Sequence, residues 1–206
     1  MDLVESYLRI SSFFDSWVRV MEIHSRIMEV RDSKISAHRI LILSPPTDRG
    51  IKILTQANSG GKSYLLCFTE RLAGIAKNYS NNHNIDRLTI SLANFFHLPF
   101  KNGYFDAVFA NCFFDFCQED DFDTIIYEIK RVLKPGGALY SVYMYFPSNF
   151  FDHVWLCIVK GFPYLGQTVH PVDIKTSLLT NGFRVTKEIL ARRFGFPLKY
   201  ITAEIL

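Results

Sequence analysis

The sequence predicts a single α/β domain built on a doubly wound sheet of seven strands, mostly parallel, with an antiparallel last strand. Helical and strand-like apolar patterns alternate along the chain, as in folds whose parallel strands are joined by crossover helices. The chain closes with two consecutive strand patterns joined at Gly195–Pro197, and such a hairpin places one antiparallel strand in the sheet. A length of 206 residues suits one well-buried domain and is short for two, so we expect residues 1–206 to form one unit.

The elements of the N-terminal half follow from apolar spacing and from turn residues. Residues 3–30 carry apolar side chains at helical spacing and predict one or two helices. Helices are also predicted near residues 47–57, where the polar turn Asn58–Lys62 ends the pattern, and at Glu70–Tyr79. Short apolar runs predict buried strands at Arg39–Leu43, Tyr64–Phe68 and Leu88–Leu92.

The C-terminal half continues the same alternation. The turn Asn102-Gly103 precedes a strand, and the acidic first turn of the following helix suits the positive end of its dipole. We expect Lys134–Gly137 to close that helix and Gly182 to stop the last one. The predicted strands are Phe105–Asn111, Ala138–Met144, about 183–192 and about 198–205, and the predicted helices are Asp121–Leu133, near 149–160 and near 171–180.

Composition narrows the classes of function. Apolar residues make up 49% and aromatic residues 15% of the chain, which predicts a thick core or, as the alternative, an additional apolar pocket or protein interface. The net charge is +3 and the basic residues are scattered, with no run longer than Arg192-Arg193, so nucleic-acid binding is not expected. We expect neither a signal peptide nor a transmembrane helix.

The cysteines lie in apolar surroundings and form no Cys-x-x-Cys pair. This usage predicts reduced core thiols in a cytoplasmic protein rather than disulfides or zinc ligands, and we expect no metal site. The four cysteines are Cys67, Cys112, Cys117 and Cys157.

Several segments carry a resemblance to a known family. Leu98–Phe100 followed by Tyr104–Val108 is similar to the signature "LPF…sFDvV", and Arg131–Gly137 is nearly identical to the signature "RvLkPGG". In these segments the chain resembles the class I S-adenosylmethionine (SAM) methyltransferases, in particular those of ubiquinone and menaquinone biosynthesis. The resemblance implies the Rossmann-like methyltransferase fold, an N-terminal helical lid at residues 1–35 that includes Phe14–Trp17, and a helical cap at residues 145–181.

The resemblance also locates a cofactor loop, and here the chain departs from the family. The family has the pattern acid-x-Gly-x-Gly-x-Gly after the first strand, whereas the acid falls on Ile42 and the three glycines fall on Ser44, Pro46 and Asp48. Proline lacks the N–H group that could bind the ligand. Ser44-Pro45 predicts a helix N-cap followed by proline at the first helical position. Asp48 could satisfy the helix amides itself and repel the SAM carboxylate.

Other positions implied for SAM are also altered. The acid that would accept hydrogen bonds from both ribose hydroxyls falls on Cys67. Glu70 could take its place, or it could cap the following helix. The acid that would accept from the adenine amino group falls on Asn94, with Phe95 beside it to cover the ring. A turn Asn and a core Phe are the alternative for this pair. Asn111, at the end of the fourth predicted strand, completes the set of cofactor-site positions.

Candidate catalytic residues are few, and each has a structural alternative. His170, which the resemblance places in the cap, could act as a general base or could form a capping arrangement with Asp173. Tyr143 and Tyr145 leave the fifth strand at the carboxyl edge, where doubly wound folds bind ligands, and are candidate pocket residues, with Tyr143 a second catalytic candidate.

Three further patterns favour structural roles. Gly60–Ser63 could suggest a phosphate loop, but it follows a predicted helix and precedes a strand, so a polar turn is preferred. The acids of residues 119–123 predict a helix start rather than a cation site. The aromatic stretch Tyr143–Phe151 predicts core under a cap, with a lipophilic substrate or protein partner as the alternative.

Two hypotheses of function follow. In the first, the chain is a methyltransferase-like pseudoenzyme that lacks SAM and serves as a scaffold, as the partner of an active homologue, as a homo-oligomer or as a binder of another ligand. This hypothesis predicts a blocked cofactor cleft and an exposed apolar face. In the second, it is a SAM-dependent methyltransferase of a small apolar molecule, with a rebuilt loop. We favour the first because one ligand site has changed at five positions, namely Ile42, Ser44, Pro46, Asp48 and Cys67.

Overall fold

The computed structural model describes residues 38–161, 170–193 and 196–206. Within these ranges, seven strands form one sheet: β1 (Arg39–Leu43), β2 (Lys62–Cys67), β3 (Leu88–Leu92), β4 (Phe105–Asn111), β5 (Leu133–Met144), β6 (Phe183–Arg193) and β7 (Phe196–Ile205). The described helices are α1 (Arg49–Ala57), α2 (Glu70–Asn82), α3 (Phe122–Val132), α4 (Phe150–Gly161) and α5 (Lys175–Thr180).

The strand order is β3-β2-β1-β4-β5-β7-β6. β1 pairs in parallel with β2 and β4, while β7 runs antiparallel to both of its neighbours, β5 and β6. The predicted fold class, a mostly parallel doubly wound sheet with an antiparallel last strand, is therefore confirmed. The order places the carboxyl ends of the first four strands along one edge, with β1 between β2 and β4.

Both hydrophobic cores contain side chains of β1. Ile40 and Ile42 face one side of the sheet and pack in a core shared with α1 and α2. Leu41 and Leu43 face the other side and pack with α3. Side chains of a strand alternate between the two faces, and both faces of β1 are covered, so this strand is an unbroken apolar run.

The junction between α3 and β5 differs from the prediction. Lys134–Gly137 was expected to separate a helix from a strand beginning at Ala138, whereas β5 begins at Leu133 and contains this segment. Phe105 pairs with Leu133 and Ala107 pairs with Ala138, so the register shifts and the extra residues form a bulge. Gly136 has a φ of 74° in this bulge, a conformation that glycine adopts without steric cost.

The last helix is also shorter than predicted. α5 contains six residues, and the preceding Val172 and Ile174 are fully buried in irregular backbone instead of extending the helix. The predicted N-terminal helices, the lid at residues 1–35 and part of the cap lie outside the described residues. In the part of the chain that is described, no helix is both long enough and apolar enough to cross a membrane.

The turn between α1 and β2 matches the polar turn that the sequence predicts. Asn58 is buried, accepts from the N–H of His38 at 3.0 Å and donates its amide to the carbonyl oxygen of His38 at 2.9 Å. Gly61 lies directly against this pair, because a Cβ added there would be 2.0 Å from the His38 carbonyl oxygen. The turn therefore needs glycine at position 61 to hold the start of β1 against β2.

We expect Gly61→Ala to lower the free energy of unfolding by about 2–3 kcal/mol, since backbone atoms must move to admit the methyl group. Gly74→Ala is the matched control, because Gly74 lies within α2 with no atom within 4 Å of an added Cβ. The control is expected to gain about 0.5–1 kcal/mol from helix propensity. Urea unfolding of both variants measures the difference, and a neutral Gly61→Ala would show that the turn is not constrained in this way.

Candidate functional site

A cleft of about 950 Å³ opens at the carboxyl edge of β1 to β4. Its walls come from the segments that leave these strands, including Ser44, Cys67, Asn94 and Cys112, and α3 contributes Ile125. This is the edge at which doubly wound sheets bind ligands. Among the described residues nothing fills the cleft, so the expectation of a blocked cleft is not met there.

The loop after β1 folds differently from the prediction. Ser44-Pro45 does not cap α1, because the Pro45 carbonyl oxygen accepts from the N–H of Asp48 at 3.0 Å and the chain makes a turn first. Asp48 is the N-cap, and its carboxylate accepts from the N–H of Gly50 at 2.7 Å. Asp48 is buried, and Pro45 and Pro46 line the cleft. The N–H of Gly50 at the start of α1 is thus satisfied by the protein itself, and neither Asp48 nor Gly50 is among the described residues that line the cleft.

The ribose-acid position at the end of β2 carries a neutral side chain. Cys67 is 3% exposed and lines the cleft, and burial raises the pKa of its thiol to about 12. Glu70 is the exposed first residue of α2 and also borders the cleft. The N-cap of α2 is Thr69, which the sequence analysis did not identify and whose hydroxyl accepts from the N–H of Leu72 at 3.3 Å.

The adenine-acid position is occupied by a turn residue. The side-chain oxygen of Asn94 accepts from the N–H of Phe96 at 2.9 Å, and Asn94 pairs with His97 in an isolated bridge. Phe95 lines the cleft, and its ring centroid lies 4.9 Å from that of Phe113 and 5.9 Å from that of Phe68. This geometry agrees with the alternative of a turn Asn and a packed Phe.

Two other implied positions lie in the core of the sheet. Ile42, where the family has an acid, is fully buried in β1. Asn111 is buried at the end of β4, in register with Val142 of β5, and the next residue, Cys112, lines the cleft with a φ of 48°. Asn111 therefore lies at the strand end that was predicted, one residue before the cleft wall.

The catalytic candidate Tyr143 does not line the cleft, so the prediction that it is a pocket residue is wrong. The side chain is fully buried in the core that contains α3, and its hydroxyl donates to Asp173 at 3.3 Å. Burial, followed by the charge of Asp173, raises the pKa of this hydroxyl far above its usual range. Alternate side chains of a strand face opposite sides of the sheet, and either side can be covered by a core. Tyr143 faces the side that the core with α3 covers.

His170 and Asp173 have structural contacts. The backbone N–H of His170 donates to the carbonyl oxygen of Asp115 at 3.3 Å. Asp173 accepts from the N–H of Lys175 at 3.1 Å, just before α5. Asp173 therefore binds the first N–H of α5 from outside the helix, whose N-cap residue is Ile174 and has no side-chain capping bond.

A buried charge cluster near Tyr143 was missed by the sequence analysis. Lys199 of β7 is 4% exposed, donates to Glu188 at 2.6 Å and to Asp173 at 3.2 Å, and lies 4.0 Å from the ring centroid of Tyr145. Burial lowers the pKa of Lys199, but the hydrogen bonds to Glu188 and Asp173 outweigh it and raise the pKa overall. No sequence signal marks the cluster, because its members come from separate strands and a loop.

Asp115 was also missed, although it stands out within the aromatic sequence Phe113–Phe116. It is 2% exposed and accepts from the N–H of Met144 at 2.7 Å. Burial raises the pKa of its carboxyl to about 7, against the opposing effect of hydrogen bonds from Met144 and Cys112. This carboxyl ties the short helical turn after β4 to the end of β5.

The acids near α3 lie where a helix start was predicted, in the turn Glu119–Asp121 and the first turn of α3. In the part of the chain that the structure describes, no group of three or more His, Cys, Asp or Glu side chains could hold a metal ion.

Comparison with known proteins gives two kinds of similarity. Residues 47–141 match the family described as a methyltransferase domain. A demethylmenaquinone methyltransferase of Oceanobacillus iheyensis is 27% identical over 95 residues, which are 46% of this chain and 39% of that protein. The match thus spans about two fifths of the relative's length.

Solved structures show the same fold. A SAM-dependent methyltransferase from Aquifex aeolicus has a TM-score of 0.75 at 16% identity, covering 100% of both chains. A complex between a methyltransferase and the Haloferax volcanii Trm112 activator gives a TM-score of 0.76 at 16% identity, covering 97% of both chains. The [4+2]-cyclase SpnF has a TM-score of 0.64 at 16% identity, covering 85% of this chain and 78% of that one.

We expect the stability that Asp115 contributes to the folded protein to fall as the pH rises from about 4 to about 7. The folded-state pKa of Asp115, about 7, lies above the ordinary value of about 3.9. The folded protein therefore binds more protons than the unfolded chain in this window, and the stability contributed by the protonated carboxyl is lost as it ionises.

Asp115→Asn removes this titration and keeps an oxygen that can accept from Met144. Urea unfolding at pH 5 and pH 8 should show a loss in the wild type that exceeds the loss in the variant by about 2 kcal/mol. Asp120→Asn, at an exposed position, is the control. Equal losses in wild type and Asp115→Asn would contradict the assignment.

Proposed function

We propose that this chain, whose residues 47–141 match a methyltransferase domain, is a non-catalytic member of the class I SAM-dependent family whose cleft does not hold SAM in the usual way. The observation that carries the proposal is the chemistry of the cleft wall at Cys67. A carboxylate at this position would accept two hydrogen bonds from ribose, whereas a thiol with a pKa of about 12 offers one weak acceptor. The described residues therefore do not fit SAM.

The loop after β1 supports the same conclusion. Pro45 and Pro46 line the cleft without N–H groups, so they offer the ligand no donors. The N–H of Gly50 is bound by Asp48 at 2.7 Å, so this amide at the start of α1 is already in use.

The position that would bind the adenine amino group also lacks a free acceptor. The side-chain oxygen of Asn94 already accepts from the N–H of Phe96. To accept from an adenine amino group instead, Asn94 would have to give up its turn or share the oxygen between two donors. SAM would therefore lose hydrogen bonds at its ribose, at its methionine part and at its adenine, and three such losses are difficult to offset together.

A scaffold or partner-subunit role follows from the surface of the same chain. Phe150 and Phe151 at the start of α4 are 76% and 70% exposed, and the neighbouring Phe146 and Val154 are also exposed. Clustered apolar side chains on a surface are typical of protein interfaces. The fold is compatible with such a role, since one similar structure is a methyltransferase bound to an activator protein. We propose that a protein partner, or a second copy of the chain, covers this surface.

The compartment is a smaller part of the proposal. All four cysteines are free thiols. Unpaired thiols are typical of a reducing environment, so we propose the cytoplasm.

A second candidate function is a SAM-dependent methyltransferase of a small apolar molecule with a rebuilt loop. The observation that favours it is the open cleft of about 950 Å³ at the edge where this fold binds its cofactor. Phe95 lies in its wall and could cover an adenine ring.

We expect no measurable heat when the purified protein is titrated with S-adenosylhomocysteine at millimolar concentration. The triple variant Ser44→Gly, Pro46→Gly, Cys67→Asp restores two glycines and the ribose acid. We expect it to bind at least about tenfold more tightly than the wild type, since a charged hydrogen bond contributes about 1.5–3 kcal/mol.

The control is Ser44→Gly, Pro46→Gly, Cys117→Asp, which places the new carboxylate elsewhere in the same cleft. It should gain no affinity, and thermal unfolding of each variant verifies that it is folded. Micromolar binding of S-adenosylhomocysteine by the wild type would reject the proposal and support the second candidate.

A further inference from the structure

The inner wall of the cleft is apolar and uncharged. Leu66, Leu72 and Ile125 are buried side chains that line it, and Phe95 and Phe113 add two aromatic rings. An apolar molecule that enters such a cavity buries its own apolar surface and that of the wall. This burial is favourable by about 25 cal/mol per Å² of apolar surface removed from water.

The sulfur groups of the cleft keep this wall neutral. Cys67 and Cys117 both line the cavity, and burial raises the pKa of each thiol to about 12. The Asp115 and Asp121 carboxylates raise that of Cys117 further. Both thiols therefore act as small, weakly polar surfaces and offer no charge to a ligand.

The charges around the cleft exclude anions. Among the described lining residues the charged ones are Glu70 and Asp121, both acidic, and none is Lys, Arg or His. A phosphate or carboxylate would lose its hydration there without gaining a partner. Glu70 is exposed and Asp121 is half-buried, so water and salt screen their attraction for a cation, while the inner wall offers a cation no carboxylate.

The size and the aromatic geometry favour a flat molecule. Phe95 packs edge-to-face against Phe68 on one side and against Phe113 on the other. A third aromatic group can extend such a cluster by the same edge-to-face or offset contacts. The volume of about 950 Å³ lies within the range of small-molecule pockets, about 300–1,000 Å³.

We propose that the cleft binds a neutral, apolar molecule containing a planar ring system, in the place where this fold binds SAM. This inference rests on the proposed function, in which the cleft does not hold SAM in the usual way, and it assigns a ligand class to that cleft. Affinity comes from the apolar wall, and selectivity comes from the absence of cationic side chains in the described lining.

Two fluorescent probes with one ring skeleton test the selectivity. N-phenyl-1-naphthylamine is neutral, and 1-anilinonaphthalene-8-sulfonate carries an added sulfonate. At low salt, the neutral probe is expected to bind to the full chain at least about tenfold more tightly than the anion, a difference of about 1.4 kcal/mol. Equal binding of the two probes, or tighter binding of the anion, would overturn the proposal.

Two substitutions locate the probe. Ala93→Phe fills the cleft from within, and Phe95→Ala removes the ring that packs against Phe68 and Phe113. Each should weaken the neutral probe by at least about tenfold while thermal unfolding shows a folded protein. Loss of binding in Phe150→Ser, Phe151→Ser with full binding in both cleft variants would place the probe on the exposed surface and overturn the proposal.

S-adenosylhomocysteine added as a competitor separates this inference from the proposed function. Retention of the neutral probe in the cleft with the competitor present supports both. Absence of probe binding together with no binding of the competitor overturns only the inference. Displacement of the probe by the competitor overturns the proposed function and the claim that another ligand takes the place of SAM.

Discussion

The packing of β1 on both of its faces is the constraint on which the rest of the structure depends. Ile40 and Ile42 anchor one core and Leu41 and Leu43 the other, while the backbone pairs with β2 and β4. Because the strand is fixed on four sides, the chain must emerge from Leu43 between β2 and β4 at the carboxyl edge. The residues that follow therefore lie beside the cleft whatever their chemistry.

The residues that follow β1, β2 and β3 use their side chains in local hydrogen bonds. Asp48 binds the N–H of Gly50 at the start of α1, and Thr69 binds the N–H of Leu72 near the start of α2. Asn94 uses its side chain within its own turn. Backbone groups that are satisfied internally make a stable loop and a poor ligand site, since a ligand gains nothing from donors already in use. The cavity remains because the strands and helices that frame it are held by the two cores.

Most of the fold could be predicted from the sequence, because strand and helix periodicities differ and the apolar runs of β1 and β4 are unambiguous. The bulge at Lys134–Gly137 was missed because a Pro-Gly-Gly sequence predicts a turn, and only pairing with β4 reveals that it continues the strand. At the site, the positions of Cys67 and Asn94 at the strand ends followed from the family resemblance. Asp48 is a favoured N-cap residue with a local bond to Gly50, and it was missed because Ser44-Pro45 also fits a helix start. The burial of Tyr143 depends on tertiary packing, which local patterns do not encode. The charge cluster around Lys199 joins distant segments for the same reason.

The central claim is that this chain keeps the cleft of a methyltransferase and has given up its usual cofactor. Native mass spectrometry of the freshly purified protein tests it most directly, with a SAM-binding methyltransferase prepared in the same way as the positive control. The account predicts the mass of the chain alone, or of the chain with a small neutral molecule other than SAM or S-adenosylhomocysteine. A population that carries the mass of SAM or S-adenosylhomocysteine would contradict it.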